Sequence, residues 1–210
     1  MSAEEELLAL YTRLVLEANA KFNLTGAQNE AEFASHIADS LTVVPYIRGP
    51  YIDVGSGAGL PGIPVALASG VETTLLEATQ KKAKFLTEAL EALGLSARVI
   101  AARAEDAGRD PQWREQFQSA TIRAVASAPA ALELVAPFLA AGGLAILQRG
   151  APEDGEGEAL PAAATELACA VEGEVRIDAD RRLVLIRKTG PTPDRFPRRA
   201  GIAQKRPLGG

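Results

Sequence analysis

The chain has 210 residues, 47% hydrophobic and 23% charged, with one cysteine and a net charge of −5. That length suits one domain with a short appendage, large enough to bury a core without staples. The lone Cys169 excludes an internal disulfide and fits a reducing cytoplasm, no run approaches the ~20 apolar residues of a membrane span, and the acidic start (Glu4, Glu5, Glu6) is unlike a secretory signal.

Leu7, Leu10, Tyr11, Leu14 and Ala18 recur at helical spacing and predict an amphipathic helix over residues 4–20. Phe33, Ile37, Leu41 and Val44 predict a second helix, stopped by Pro45. Together they form an N-terminal helical extension, residues 1–48, packed on a core domain, 49–188. Within that domain Tyr51 to Val54 reads as a short strand running into glycines. A helix at 64–69, a strand at 73–76 and a strong helix at 80–93 ended by Gly94 follow. Further strands are expected at 97–100, 120–125 and 143–147, with a helix at 130–139. An acidic loop comes next, with seven acids and no base between Gly150 and Glu174. The last two strands, 168–175 and 183–187, are too close for a helix between them and predict an antiparallel hairpin at one edge. Strands alternating with helices predict an α/β fold of Rossmann-like type, with a mostly parallel seven-stranded sheet and right-handed crossovers. Residues 189–210, with four prolines and four glycines, read as an irregular tail. The tail is basic: from Arg181 to Gly210 nine Lys/Arg face one acid, Asp194, so the other 180 residues carry −13.

The most informative stretch is Asp53 to Gly62, where the first strand turns into the first helix of the sheet. Gly55, Gly57, Gly59 and Gly62 cost folding entropy that a plain turn need not spend, which points to a ligand approaching bare backbone. Gly57 to Gly62 also fits G-x-G-x-x-G, the weak signature of a dinucleotide site. Asp53 favours S-adenosylmethionine instead: a carboxylate there attracts the ammonium of a methionine moiety and repels a pyrophosphate. The alternation of Gly55, Gly57 and Gly59, with Ser56 between, resembles a methyltransferase loop, and the chain has no room for the substrate domain that most nicotinamide enzymes carry. Glu77, at the end of the second strand, is placed to accept hydrogen bonds from ribose hydroxyls. Ala104 and Glu105, after the third strand, sit where an adenine edge is commonly met.

The runs Asn23-Leu24-Thr25, His36-Ile37-Ala38-Asp39-Ser40 and Ile52 to Pro64 resemble those of the bacterial small-subunit ribosomal RNA guanine-N7 methyltransferases, the glucose-inhibited division protein B or RsmG family. Lys81 to Leu86, Arg123 to Ala126, and Arg195 to Gly201 resemble its next helix, fourth strand and basic tail. The resemblance implies a class I methyltransferase fold and a cytoplasmic enzyme acting on a guanine in the 530 loop of 16S RNA. It implies that Gly55, Leu60, Glu77, Ala78, Thr79, Ala104, Glu105 and Arg123 contact S-adenosylmethionine. Ala58 stands where the family often has proline, Ile122 where it often has serine, and Arg149 where it often has lysine.

Guanine N7 carries an in-plane lone pair and no proton at neutral pH, so its methylation needs positioning and no general base. The sequence agrees: Cys169 lies far from any strand end, and Ala126-Ser127-Ala128-Pro129 lacks the Asp/Asn-Pro-Pro-aromatic motif of base-amine methylation. No residue is assigned as catalytic. The positioning candidates are His36, Asp39 and Ser40 on the second helix, Asn23 before it, and Arg123, a charge leaving a buried strand that could bind guanine O6 or the methionine carboxylate. Ordinary alternatives are a core-edge pair for His36 and Asp39 and a turn or cap for Asn23. Lys188, Arg195, Arg198, Arg199, Lys205 and Arg206 are spaced so that they can follow RNA phosphates, with Phe196 available to stack on a base; a solvated, disordered tail is the alternative, and the one the residues alone favour. No metal or membrane partner is expected, and the chain is expected to be a monomer. A small-molecule methyltransferase, or a non-catalytic nucleotide- or RNA-binding protein of the same fold, is the alternative.

Overall fold

The structure, a computed structural model, describes residues 2–123 and 127–209. Ala124 and Val125, the expected end of the fourth strand, and Ala126 lie outside the described residues. Helix α1 (Ala3–Asn19) starts in a capping box: Ser2 Oγ accepts from Glu5 N at 3.2 Å, and Glu5 Oε2 accepts from Ser2 N at 2.7 Å. The Asn19 side chain then shapes the following loop, accepting from Leu24 N (2.8 Å) and Thr25 N (2.9 Å). Asn29 caps helix α2 (Glu30–Leu41). That helix ends before Pro45, which sits inside a separate 3-10 turn (Val44–Tyr46) rather than stopping α2 itself.

The sheet strands are β1 (Tyr51–Val54), β2 (Thr73–Leu76), β3 (Arg98–Ile100), β4 (Phe117–Arg123), β5 (Leu139–Arg149), β6 (Cys169–Arg176) and β7 (Arg182–Lys188). Between them run α3 (Gly62–Ser69), α4 (Gln80–Leu93), α5 (Ala104–Ala107), α6 (Ala128–Val135) and α7 (Glu156–Glu166), and α8 (Ile202–Lys205) follows β7. Strand order is β3-β2-β1-β4-β5-β7-β6, with β7 antiparallel to both neighbours. This is the Rossmann-like, mostly parallel seven-stranded sheet with an antiparallel edge hairpin that the sequence predicts. Chain order reverses between β1 and β4, so their following loops leave to opposite faces and open a crevice at the carboxyl ends of the strands.

Each face of the sheet is covered. On one, Tyr11, Phe33, Ile63 and Leu86 from α1 to α4 form a buried cluster. On the other, residues of α5, α6 and α7 pack with Ile52, Phe117, Ala145 and Val184. Two expectations are corrected here. The acidic segment is not a loop throughout: residues 156–166 form α7, which buries Leu160, Ala163 and Ala164. Its Glu156 meets buried Arg182 at 2.6 Å, and Glu174 meets the same guanidinium at 2.7 Å, so some of these acids serve internal pairing. The tail is not loose either. Phe196, Ala203 and Leu208 are buried in the second core, and full burial of an aromatic ring stabilises by about 2–3 kcal/mol.

Candidate active site

The glycine loop is held in a conformation that side chains resist. Gly55, Gly57 and Gly59 have φ of 75°, 58° and 101°. At Gly62 the limit is space: a Cβ would lie 2.2 Å from Leu75 Cδ2 and 3.0 Å from Asp53 Oδ2. Two carboxylates fix the loop. Asp53, 1% exposed, accepts from Gly62 N at 3.1 Å and from Thr121 Oγ1 at 2.8 Å. Burial pushes its carboxyl up to about 6, against the hydrogen bonds from Thr121, Ser56 and Gly62 and the Arg123 cation. Glu77 accepts from Gly57 N (2.9 Å) and Thr79 N (2.7 Å), bridging the loops after β1 and β2. From the far side, buried Tyr11 of α1 donates to Ala58 O at 2.9 Å.

Gly55, Glu77, Ala78, Ala104 and Glu105 line one crevice, so the structure brings these expected cofactor residues together. Ala78 and Thr79 are exposed. Other members have internal duties. Ser56 donates to Asp53 O at 3.0 Å, Leu60 belongs to the core, and Gly59 is packed close to Ile63 and Tyr11. Glu105 is engaged as well: its Oε1 accepts from Gly201 N at 2.9 Å and from Arg103 at 3.2 Å. Burial alone would raise its carboxyl, but these donors outweigh it and hold it below the usual range. Gln204 of α8 also lines the crevice. The sequence carries no signal for Gln204, because only the folded-back tail delivers it.

The second group of candidates surrounds Arg123. Its guanidinium lies 3.4 Å from Asp39 Oδ2 and 3.5 Å from His36 O. Burial, then the Arg123 cation, push the His36 imidazole below its ordinary value, against the pull of Asp39 and Glu32. Two expectations change. Ser40 is fully buried and donates to His36 O at 2.7 Å, a bond within its own helix. Asn23 is exposed in the loop after α1, which Asn19 organises. Unforeseen members join instead. Arg181 reaches Asp39 Oδ1 at 3.3 Å, and Gln148 donates to Asp39 O at 3.1 Å. Arg181 arrives because antiparallel β7 starts beside the end of β5, and Gln148 because parallel β5 pairs it with Arg123 of β4, registers that no local pattern reveals.

The tail divides into two sets. Lys188 is 1% exposed and donates to Leu167 O (2.7 Å) and Thr192 Oγ1 (2.6 Å). Arg198 clasps fully buried Glu133 at 2.5 Å. Phe196 is buried under Arg195, whose guanidinium stands 4.8 Å from the ring centre. Lys188 and Phe196 are therefore corrected as RNA contacts, and Arg198 is committed to Glu133. Arg195, Arg199, Lys205 and Arg206 are exposed. Arg114, unmarked by any local pattern, anchors the segment by donating to Phe196 O (2.9 Å) and Thr192 O (2.7 Å).

A family model described as rRNA small subunit methyltransferase G matches residues 4–183. Ribosomal RNA small subunit methyltransferase G of Pelotomaculum thermopropionicum is 40% identical, covering 94% of this chain and 88% of that protein. The protein of the same name from Dictyoglomus thermophilum is 38% identical, covering 98% and 90%. Among solved structures, a mutant of MtNAS in complex with S-adenosylmethionine is similar with a TM-score of 0.58 at 15% identity, over 89% of this chain and 76% of that one. A structure concerned with the conversion of a disulfide bond into a thioacetal group during echinomycin biosynthesis has a TM-score of 0.55 at 17% identity, over 74% and 82%. These likenesses extend to the fold. With a family model spanning most of its length and relatives matching nearly all of it, the chain belongs to the rRNA small subunit methyltransferase G family.

Proposed function

We propose that this chain transfers the methyl group of S-adenosylmethionine to N7 of a guanine in the 530 loop of 16S ribosomal RNA, acting as a cytoplasmic monomer. The observation that carries the reading is the cradle at the head of the sheet: three left-handed glycines facing Glu77, whose carboxylate is already oriented by Gly57 N and Thr79 N. The residues fit the cofactor. Gly55 and Glu77 would hold its ribose side, and Ala104 and Gln204 would flank the adenine. Asp53 lies behind the glycine loop, so its charge would favour the methionine ammonium at a distance or through water rather than by direct contact.

When bound, the cofactor supplies an electrophilic sulfonium methyl. The protein's task is to hold guanine N7 in line with that methyl and to exclude water, which can lower the barrier by several kcal/mol, ~7 at the best-aligned limit. N7 has no proton to lose, so no side chain need act as a base. Arg123, at the end of β4 beside the glycine loop, is the positioning residue between cofactor and base.

The test is transfer of labelled methyl to small ribosomal subunits, followed by borohydride and aniline scission of the RNA at 7-methylguanine. Cleavage at one guanine of the 530 loop supports the reading. Cofactor binding without transfer to RNA, or transfer to a small metabolite, overturns it.

A further inference from the structure

Beside the cofactor crevice lies a second pocket lined by Asp39, Arg123, Gln148 and Arg181. Gln148 is 6% exposed, and its amide orientation is fixed: Nε2 donates to Asp39 O (3.1 Å) and to Asp39 Oδ2 (3.3 Å), both pure acceptors. Its Oε1 is buried with no hydrogen-bond partner among the described residues. A buried, unused acceptor is costly, so Oε1 is poised to take a ligand donor once the groups that cover it move aside. Next to it stands the Asp39 carboxylate, spanned by two cations at 3.4 and 3.3 Å, neither pair tight. Arg181 has a closer partner in Asp178 at 2.5 Å, so it can leave Asp39 without losing its ion pair.

We infer that this pocket selects guanine by its Watson–Crick edge, an inference that rests on the guanine-N7 reading above. Guanine offers two adjacent donors, N2–H and N1–H, then the acceptor O6, and N7 beyond it. The pocket offers the matching sequence of groups. Gln148 Oε1 accepts from N2–H. Asp39, released by Arg181, accepts from N1–H. Arg123 donates to O6. Arg123 and Gln148 are paired across β4 and β5, and Val54, just before Gly55, pairs with Ile122, so Gln148, Arg123 and the glycine loop stand in a row at one level of the sheet. Adjacent strands lie about 4.8 Å apart, so the row spans about 10 Å, enough for a purine with its pyrimidine ring over β5 and its N7 toward the cofactor. Adenine fails twice here, placing an amino donor against Arg123 and an acceptor, N1, against Asp39.

The test replaces the target guanine by inosine, which lacks only the N2 amino group, in a ligated small-subunit RNA, and measures single-turnover methyl transfer. The parent enzyme should lose about tenfold on inosine, the value of one hydrogen bond to a buried acceptor. Gln148→Met should lose about tenfold on guanine and nothing more on inosine. If Gln148→Met still prefers guanine to inosine tenfold, the inference is wrong. Asp39→Asn gives a second readout: cofactor affinity within twofold of the parent with transfer down about a hundredfold on both bases, since both keep N1–H. Transfer at the parent rate would overturn the inference. If the parent enzyme itself transfers no methyl to RNA guanine, the broader reading has failed and the pocket assignment goes with it.

Discussion

The glycine loop and the C-terminal segment border the same crevice, yet different physics holds them. The loop is fixed by backbone: three left-handed glycines, with Asp53 and Glu77 accepting backbone N–H groups. The C-terminal segment is fixed by side chains: Arg114, Arg198 and Lys188 satisfy carbonyls and a buried carboxylate while Phe196 fills the core. A loop built from glycine advertises itself in one dimension. A segment built from long side chains reaching distant partners does not, because the same arginines serve equally well on a solvated tail. Substitutions can break one attachment without the other.

The largest expected effect separates two neighbouring arginines. Arg198→Ala would leave the fully buried Glu133 without its cation and cost about 3 kcal/mol of stability. Arg199→Ala, at an exposed position, should stay within ~0.5 kcal/mol. Denaturant unfolding of both variants measures the contrast, and equal costs would mean that the segment does not dock as described. Next in size is Gly62→Ala. Its Cβ would meet Leu75 Cδ2 at 2.2 Å inside a packed core and push against Asp53, costing about 2 kcal/mol and displacing the glycine loop. Calorimetric titration with S-adenosylmethionine should show binding lost even at temperatures where the variant remains folded.

Between these two regions the sequence was unevenly legible. Period-3.6 apolar spacing located α1 and α2, and a short run turning into glycines located β1, because those elements obey local rules. The acidic stretch hid α7, since its Leu160, Ala163 and Ala164 make a thin apolar stripe interrupted by Pro161. Asp39 was legible as polar chemistry on a helix. Its partners Gln148 and Arg181 were not, because they meet it through strand pairing, β5 beside β4 for Gln148 and β7 beside β5 for Arg181. Charge counting overstated the basic tail: Lys188 and Arg198 look like phosphate ligands in a list, but one is buried and the other spent on Glu133.

A third prediction addresses Asp53, whose carboxyl burial raises to about 6, against an unfolded value near 3.9. A carboxyl raised in the folded state binds its proton more tightly there than when unfolded. Its contribution to stability is therefore full below about pH 4 and lost as pH rises through about 6. Asp53→Asn removes that titration while keeping an acceptor for Gly62 N. Relative to the parent, the variant should gain about 2 kcal/mol between pH 4 and pH 7.5. Paired unfolding curves at the two pH values read this directly, and a difference independent of pH would show that solvent reaches the carboxylate.

The smallest effect sharpens the comparison most, because it asks which cations of the C-terminal segment face RNA. Each phosphate contact releases counterions, so removing one lowers the slope of log affinity against log salt by ~0.7–0.9 and weakens binding roughly threefold. Arg199→Ala and Lys205→Ala, both at exposed positions, should each show that change with stability intact. Lys188→Met should show the opposite pattern. Its ammonium is desolvated and held by Leu167 O and Thr192 Oγ1, so the loss falls on stability while the salt slope stays that of the parent. Deleting residues 189–210 would confound the two, since it strips Phe196, Ala203 and Leu208 from the core along with the exposed cations. Single substitutions keep the core and ask about charge alone. If Arg199→Ala and Lys205→Ala leave the salt slope unchanged, the RNA runs elsewhere, and the pocket around Asp39 and Arg123 must draw it in without the tail.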